Sequence, residues 1–412
     1  MAIPTPEKYI SDFENMGFGL FVHWGLYSQL GMGEWTFDFH KRDMNEYKKL
    51  KDTFTAEDFD AEKLVLTAKS AGCKYITLTT RHHEGFSLYD TCGLNDFDAP
   101  HSAAKRDLVK EFVDACNKHN ITPFFYHTTL DWYNEDYKND FEKYLEYLRK
   151  SVEILCTNYG KVGGFWFDGN WDKKEADWQE DKLYAVIRKY QPEAIIVNNT
   201  GLSQRGKVGN PEIDSVTFEQ GTPTPMNRED MPKYLAGEMC CTLNNHWGIG
   251  FDDINYKSPK DIIEKLCMCR KVGANLLLNI GPTAQGGLDP YETELLKIVG
   301  KWMSIYGESI YTAKPYPAHS SSKNFVLKTD NELYLFCFNI ARLGSVNVTL
   351  AGNYCGWTCF GNINEKIESI KWLDNDEELK FTQCDDLLSV YASGFPYGTS
   401  LCVRVAKAII KK

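Results

Sequence analysis

The chain has 412 residues, 43% hydrophobic and 25% charged, with a formal net charge of -11. That length suffices for one large domain and a smaller one. The acidic balance argues against nucleic acid or an anionic membrane as partner, since either needs a basic face against phosphate.

No run of about 18 apolar residues is present to cross a bilayer as a helix. The stretch Met1 to Lys8 has no basic segment followed by an apolar one, so a cytoplasmic location is expected, or a secreted one if a signal has been removed. Thirteen Cys is an odd number, and Cys156, Cys337 and Cys402 sit inside apolar runs, where free Cys behaves as a small hydrophobe. The neighbours Cys240 and Cys241, and Cys267 with Cys269, lack the spacing and His partners of a zinc site. No disulfide framework is expected.

In chain order, Gly19-Leu20-Phe21-Val22-His23-Trp24-Gly25 reads as a first strand with a polar residue at its carboxyl end, followed by Glu34-Trp35 in a Gly-rich loop. Phe59 to Ala71 has a helical period and stops at Gly72. Lys74 to Thr80 is rich in β-formers and runs into Arg81-His82-His83-Glu84-Gly85-Phe86, a second strand and its loop. A helix through Leu108, Val109, Phe112, Val113 and Cys116 precedes a third strand, Ile121 to His127.

Phe141 to Tyr159 is helical in period and leads to Gly163-Gly164-Phe165-Trp166-Phe167-Asp168-Gly169. Alternation puts Trp166 and Asp168 on one face of that strand and Phe165 and Phe167 on the other, the pattern of a parallel strand covered on both sides. Chemistry in such folds sits at the carboxyl end, where Asp168 stands. Taken alone, Asp before Gly is also ordinary turn chemistry.

Trp178 to Tyr190 follows as a helix, Ala194 to Asn199 as a strand and Ile213 to Phe218 as a weaker one. Met239 to Leu243 and Asn275 to Asn279 complete eight strands, with helices Pro259 to Lys271 and Pro290 to Tyr306 around the last. Eight strands interleaved mostly with helices over about 300 residues predict a (β/α)8 TIM-like barrel over 1–314. A doubly wound open sheet competes, but no GxGxxG follows the first strand, and polar residues close nearly every strand rather than one switch point.

Past Tyr311 come Pro315, Pro317 and a Ser320-Ser321-Ser322 linker. Short alternating segments follow at Phe325 to Thr329, Leu333 to Phe338, Val346 to Leu350 and Ser400 to Val405, predicting a C-terminal β-sandwich over 315–412.

If the barrel forms, His23, Glu34, Trp35, His82, His83, Tyr126, His127, Trp166 and Asp168 converge on one mouth, although alternation would turn either His82 or His83 outward. Hydrogen-bonding groups mixed with aromatic faces suit a sugar. His23, His82, His83 and Asp168 are also possible metal ligands, without HExxH or Cys2His2 spacing.

The runs Phe18 to Ser28, Glu34-Trp35, Tyr75 to Phe86, Arg106 to Val109 and Phe165 to Gly169 together resemble the α-L-fucosidases of glycoside hydrolase family 29. So do His246-Trp247-Gly248, Asn275 to Pro282 and Gly307 to Tyr311. The resemblance implies a retaining hydrolase acting on terminal α-L-fucose of an oligosaccharide or glycoconjugate, without metal or organic cofactor. It carries the nucleophile onto Asp168 and fucose contacts onto His23, Glu34, Trp35, His82, His83, Tyr126 and Trp166. His127 is added from its place beside Tyr126.

Val216-Thr217-Phe218-Glu219-Gln220 resembles the family segment after strand six, which makes Glu219 the expected acid/base, with Glu238 in reserve. The family's arginine after Asn198-Asn199 is missing, and Arg205 is the candidate replacement. Phe37 and Trp247 are expected to line a niche for the sugar's methyl group. The reading from another class is a non-catalytic fucose-binding protein, which would lack a working carboxylate pair; a third is a metal-dependent hydrolase.

Overall fold

The computed structural model describes residues 3–199, 209–343 and 356–411. Eight strands close a parallel barrel in sequence order: β1 (Phe18–Val22), β2 (Tyr75–Arg81), β3 (Thr122–Thr128), β4 (Gly164–Asp168), β5 (Ile195–Asn199), β6 (Ser215–Glu219), β7 (Ala236–Thr242) and β8 (Ala274–Ile280). β8 returns to pair with β1, with Phe21 opposite Asn279. The helices Ala61–Ala71, Leu108–His119 and Phe141–Asn158 start on Asp60, Asp107 and Asp140, whose carboxylates accept the amides of Lys63, Lys110 and Lys143. Such caps contribute about 1 kcal/mol each.

All eight strands are buried over all or nearly all of their length, the two-sided burial expected of a parallel sheet. Phe21, Tyr75, Phe124, Tyr126, Trp166, Ile195, Val197, Ala236, Cys240 and Leu277 fill the interior together with Ile10 and Phe13. Those two come from the helix Lys8–Met16, whose Phe13 ring packs 5.5 Å from Tyr75 and 5.6 Å from Phe124. Tyr75 and Phe124 lie near the amino ends of their strands, so the helix plugs that end of the barrel.

By packing, the chain divides into two compact units, 1–257 with 275–297, and 258–274 with 298–412. In the second unit a four-stranded antiparallel sheet runs in the order His319–Ser320, Gly356–Gly361, Leu387–Ala392, Phe381–Cys384. A five-stranded one runs Ile367–Trp372, Arg404–Ile410, Glu332–Cys337, Phe325–Lys328, Lys314–Tyr316. A shared core that includes Leu335, Phe360, Ile370, Trp372, Leu388 and Ala406 joins them as the predicted sandwich. The strand expected at Ser400 to Val405 instead begins at Arg404, because Cys402 adopts a left-handed backbone with φ 55°, which ends any extended run there. The expected strand Val346 to Leu350 lies outside the described residues.

Candidate functional site

The carboxyl ends of the strands surround a cavity of about 430 Å³ counted out to its mouth, lined by Phe21, His23, Trp35, His82, Tyr126, Trp166, Asp168, Trp171, Asn199, Glu219 and Trp247. Asp168 closes β4 level with Thr128 of β3 and Asn199 of β5. Gly169 then turns with φ 120°, and a Cβ there would sit 2.5 Å from the Leu130 amide nitrogen, so only glycine lets the chain leave the strand at this point.

Three side chains hold the Asp168 carboxyl. Trp171 donates from Nε1 to Oδ1 at 2.8 Å, Tyr126 donates its hydroxyl to Oδ2 at 3.1 Å, and His83 Nε2 stands 3.5 Å from Oδ2. Burial alone would raise this carboxyl. His83, Trp171 and Tyr126 outweigh it and hold Asp168 below the usual carboxylate range, so it is ionised at neutral pH. Burial, followed by the charge of Asp168, pushes the Tyr126 phenol well above its ordinary value and keeps it a donor.

His83 is anchored from behind. The Thr128 hydroxyl donates to the Leu130 carbonyl at 2.5 Å, so at 2.7 Å it accepts from His83 Nδ1. His23 is fixed by the same logic. Asn279 donates from Nδ2 to the Trp247 carbonyl at 2.7 Å, which turns its Oδ1 toward His23 Nδ1 at 2.6 Å. His23 therefore carries its proton on Nδ1. Burial drives its imidazole down to about 3, so the ring is neutral and Nε2 is an acceptor.

Aromatic rings make the walls. Tyr126 is stacked between His82 (5.4 Å, 11° between planes) and Trp166 (5.7 Å, 19°). Trp35 stacks on Trp171 at 5.5 Å and meets Trp132 and His83 edge-on. Phe21 lies edge-on to Trp166 and Trp247.

Glu219 closes β6, lines the same cavity and accepts from Asn199 Nδ2 at 2.9 Å. Asp168 and Glu219 thus share one cavity, flanking the Asn199 that ends the strand between them.

His23, Trp35, His82, Tyr126, Trp166, Asp168 and Glu219 all line the cavity, and His83 reaches it through Asp168. The expectation that one of His82 and His83 would turn away is corrected. The β2–β3 register slips between Thr79 and Arg81, and both histidines follow the strand in a turn, where alternation no longer applies.

His127 does not reach the mouth. It is the neighbour of Tyr126 on a regular strand, so it faces outward, with Nδ1 donating to the Thr128 carbonyl at 2.8 Å and Nε2 beside Ser151 at 3.0 Å.

Glu34 stands behind the wall, its Oε2 accepting the amides of Trp247 (3.1 Å) and Gly248 (2.8 Å), and so places Trp247. Burial raises its carboxyl, and the Gly248 amide leads the contacts that pull it back. Glu238 is two residues deeper than Cys240, the partner of Glu219 in the β6–β7 register, and is fully buried. It accepts from Trp166 Nε1 at 2.9 Å and from the Tyr75 hydroxyl, a floor contact rather than a mouth position.

Phe37 packs on Tyr47 and Trp132, away from the cavity, whereas Trp247 lines it. Arg205 lies outside the described residues. Trp171, Asn199 and Phe21 were not among the expected ligand contacts. Trp171 sits in the four-residue 3-10 helix Asn170–Lys173 after β4, too short for any periodicity to mark it. Among the described residues no group of three or more His, Cys, Asp or Glu is arranged to hold a metal ion, and no helix is long and apolar enough to cross a membrane.

Comparison with known proteins gives a consistent result. The family model described as Alpha-L-fucosidase matches residues 5–308. The bovine protein called tissue alpha-L-fucosidase (Bos taurus) is 30% identical over 354 residues, covering 79% of this chain and 73% of its own. Among solved structures, alpha-L-fucosidase isoenzyme 1 from Paenibacillus thiaminolyticus superposes with a TM-score of 0.85 at 28% identity, over 98% of this chain and 99% of that one. An alpha-L-fucosidase GH29 from Bacteroides thetaiotaomicron, trapped as a covalent intermediate with 2-fluoro-fucosyl fluoride, shares the fold with a TM-score of 0.84 at 24% identity, over 100% and 98%.

Proposed function

The chain belongs to the α-L-fucosidase family, glycoside hydrolase family 29, and on that premise we propose that it removes terminal α-L-fucose from glycans with retention, through a fucosyl ester on Asp168. The observation that carries this reading is an aspartate kept ionised by Trp171, Tyr126 and His83 in the same cavity as a second carboxylate, Glu219. A retaining glycosidase needs that division: one ionised nucleophile, and one acid about 5–5.5 Å away.

Asp168 attacks the anomeric carbon while Glu219 gives its proton to the leaving oxygen. Glu219, now a base, takes a proton from the water that frees the sugar, and both carboxyls return to their starting states. His23, His82, Trp35, Trp166 and Tyr126 bind the ring, Glu34 acts by seating Trp247, and Phe21 with Trp247 offers an apolar wall to the methyl group. His127 is outside this set, and Glu238 gives way to Glu219 as the acid/base. The substrate is a fucosylated oligosaccharide or glycoconjugate, handled by residues 1–314, with 315–412 as a separate sandwich.

Treatment with a 2-deoxy-2-fluoro-fucosyl donor followed by peptide mapping tests the assignment. Label on Asp168 is expected, and label on any other carboxylate overturns it. Turnover of p-nitrophenyl α-L-fucoside separates the enzyme from a non-catalytic fucose-binding protein, which would bind fucose and release no nitrophenol. Prolonged dialysis against EDTA should leave the rate unchanged; a loss restored by added metal would move the reading to a metal-dependent hydrolase.

A further inference from the structure

On the side of His82 away from the cavity lies a carboxyl that the reaction above does not use. Glu84 is 1% exposed, and neither of its oxygens has a side-chain hydrogen-bond partner among the described residues. Its Oε2 stands 3.7 Å from His82 Nδ1, which is also buried and has no other partner. A buried polar group left unpaired costs about 1–3 kcal/mol, so each of these is the other's natural partner. The His82 ring cannot turn away. It is stacked on Tyr126 and packed against Tyr27 at 5.4 Å, His23 at 5.6 Å and His83 at 4.3 Å. With the ring locked, the open variable is which nitrogen carries the proton.

We infer that Glu84 is a positioning residue that sets the tautomer of His82, and thereby decides whether His82 offers the sugar a donor or an acceptor; this rests on the cavity being the fucose site. Protonated, Glu84 donates to Nδ1, and the imidazole proton sits on Nε2, pointing into the cavity. Ionised, Glu84 accepts from Nδ1–H and Nε2 becomes an acceptor. The pair holds two protons in the first state and one in the second, the difference going to solvent.

His23 Nε2 is already an acceptor, held so by Asn279. One sugar hydroxyl between the two rings can donate to His23 and accept from His82 only in the first state. In the second it faces two acceptors with one proton.

Burial pushes the Glu84 carboxyl up to about 8, opposed by the amides of Glu84 and Leu26 and assisted by the charge of Asp131. Burial, then His83 and His23, keeps His82 neutral. Around the pair, burial holds the phenols of Tyr27, Tyr47 and Tyr126 protonated, and Asp168 stays ionised. Burial also raises Asp131, against the pull of Arg81. Glu84 and Asp131 are thus the raised carboxyls nearest the pair, and variants separate them.

The test uses enzyme labelled with ¹⁵N-histidine, the His82 signals being assigned by their loss in His82→Gln. The expected result is an Nε2-protonated ring near pH 6 that becomes Nδ1-protonated as the pH passes about 8. Glu84→Gln, whose amide donates to Nδ1 at every pH, should stay Nε2-protonated throughout. The dissociation constant of L-fucose, which needs no acid catalyst, should rise about tenfold across the same interval in the wild type and in Asp131→Asn, and stay flat in Glu84→Gln. A His82 signal that does not change tautomer, or a wild-type rise that persists in Glu84→Gln, overturns the inference. A wild type that binds fucose but never turns over a fucoside would sink the reaction proposed above, while the tautomer measurement would still stand or fall by itself.

Discussion

Asp168 has the lowered acidity a nucleophile needs because three neighbours outweigh its burial, and each can be removed singly. Trp171→Phe deletes the 2.8 Å donor to Oδ1 while keeping a ring against Trp35. A hydrogen bond to a charged group contributes about 1.5–3 kcal/mol, so the Asp168 carboxyl should rise by about 1–2 pH units. The sign follows: a depressed carboxylate is active above its own titration and fails as the pH falls through it. The acid limb of kcat/KM in Trp171→Phe should therefore move to higher pH, and an unmoved limb would show that Trp171 does not act on the carboxylate.

Asp168→Ala should lose activity by about 10⁴-fold or more. Glu219→Ala should lose much more rate on poor leaving groups than on p-nitrophenol; equal losses would return the acid to Glu238. Much of this site was legible because His23, Tyr126, Trp166 and Asp168 lie at or near strand ends, where a two-residue period assigns the face. The same period, applied to β3, would have excluded His127. Trp171 belongs to a single 3-10 turn of helix, Asn170–Lys173, and the paired orientation of His82 and His83 to a loop turn, where strand alternation does not dictate a direction.

Among the elements, β7 and β8 do most for the site from outside it. Burial raises the Glu238 carboxyl to about 7, against the pull of Tyr75 and Trp166. A carboxyl raised on folding binds its proton more tightly in the native state than in the unfolded one. Its contribution is full below about pH 4.5 and is lost as the pH climbs toward 7, an effect of up to about 3 kcal/mol. Glu238→Gln should thus show a flatter dependence of Tm on pH between about 5 and 7 than the wild type, measured by calorimetry; identical slopes would mean that Glu238 is not protonated in the fold.

On β8, Asn279→Ala releases the His23 tautomer and the Trp247 carbonyl together. KM for a fucoside should rise about 10- to 100-fold with a smaller change in kcat. The start of β7 was missed because Ala236, Gly237 and Glu238 are poor strand residues, and the carboxylate is tolerated there only because Trp166 and Tyr75 receive it. The helix Lys8–Met16 carries Tyr9, Ile10, Phe13 and Met16 at a helical spacing, a signal too short by itself to predict a helix.

For the molecule as a whole, one end of the barrel is plugged and the other is built for chemistry, and the two are separable. Phe13 is 1% exposed at the plugged end, and Phe13→Ala should cost about 3–5 kcal/mol. Thermal scans should show a Tm lower by several degrees, with the kcat of the remaining folded enzyme unchanged. The (β/α)8 order was readable from spacing because the strands are short, largely apolar runs and several of the helices between them start at an Asp or Ser cap. The sandwich was readable only as a texture, since its strands are short and one predicted strand is displaced by the left-handed Cys402.

The barrel's seam has one more consequence. His23, at the end of the first strand, is oriented by Asn279 on the last, 256 residues later. During synthesis, a ribosome releases the opening histidine long before the asparagine that tells it which way to hold its proton. Nascent or prematurely terminated chains can therefore carry nearly every cavity-lining group and still be incompetent, so that activity switches on at circular closure instead of accumulating strand by strand.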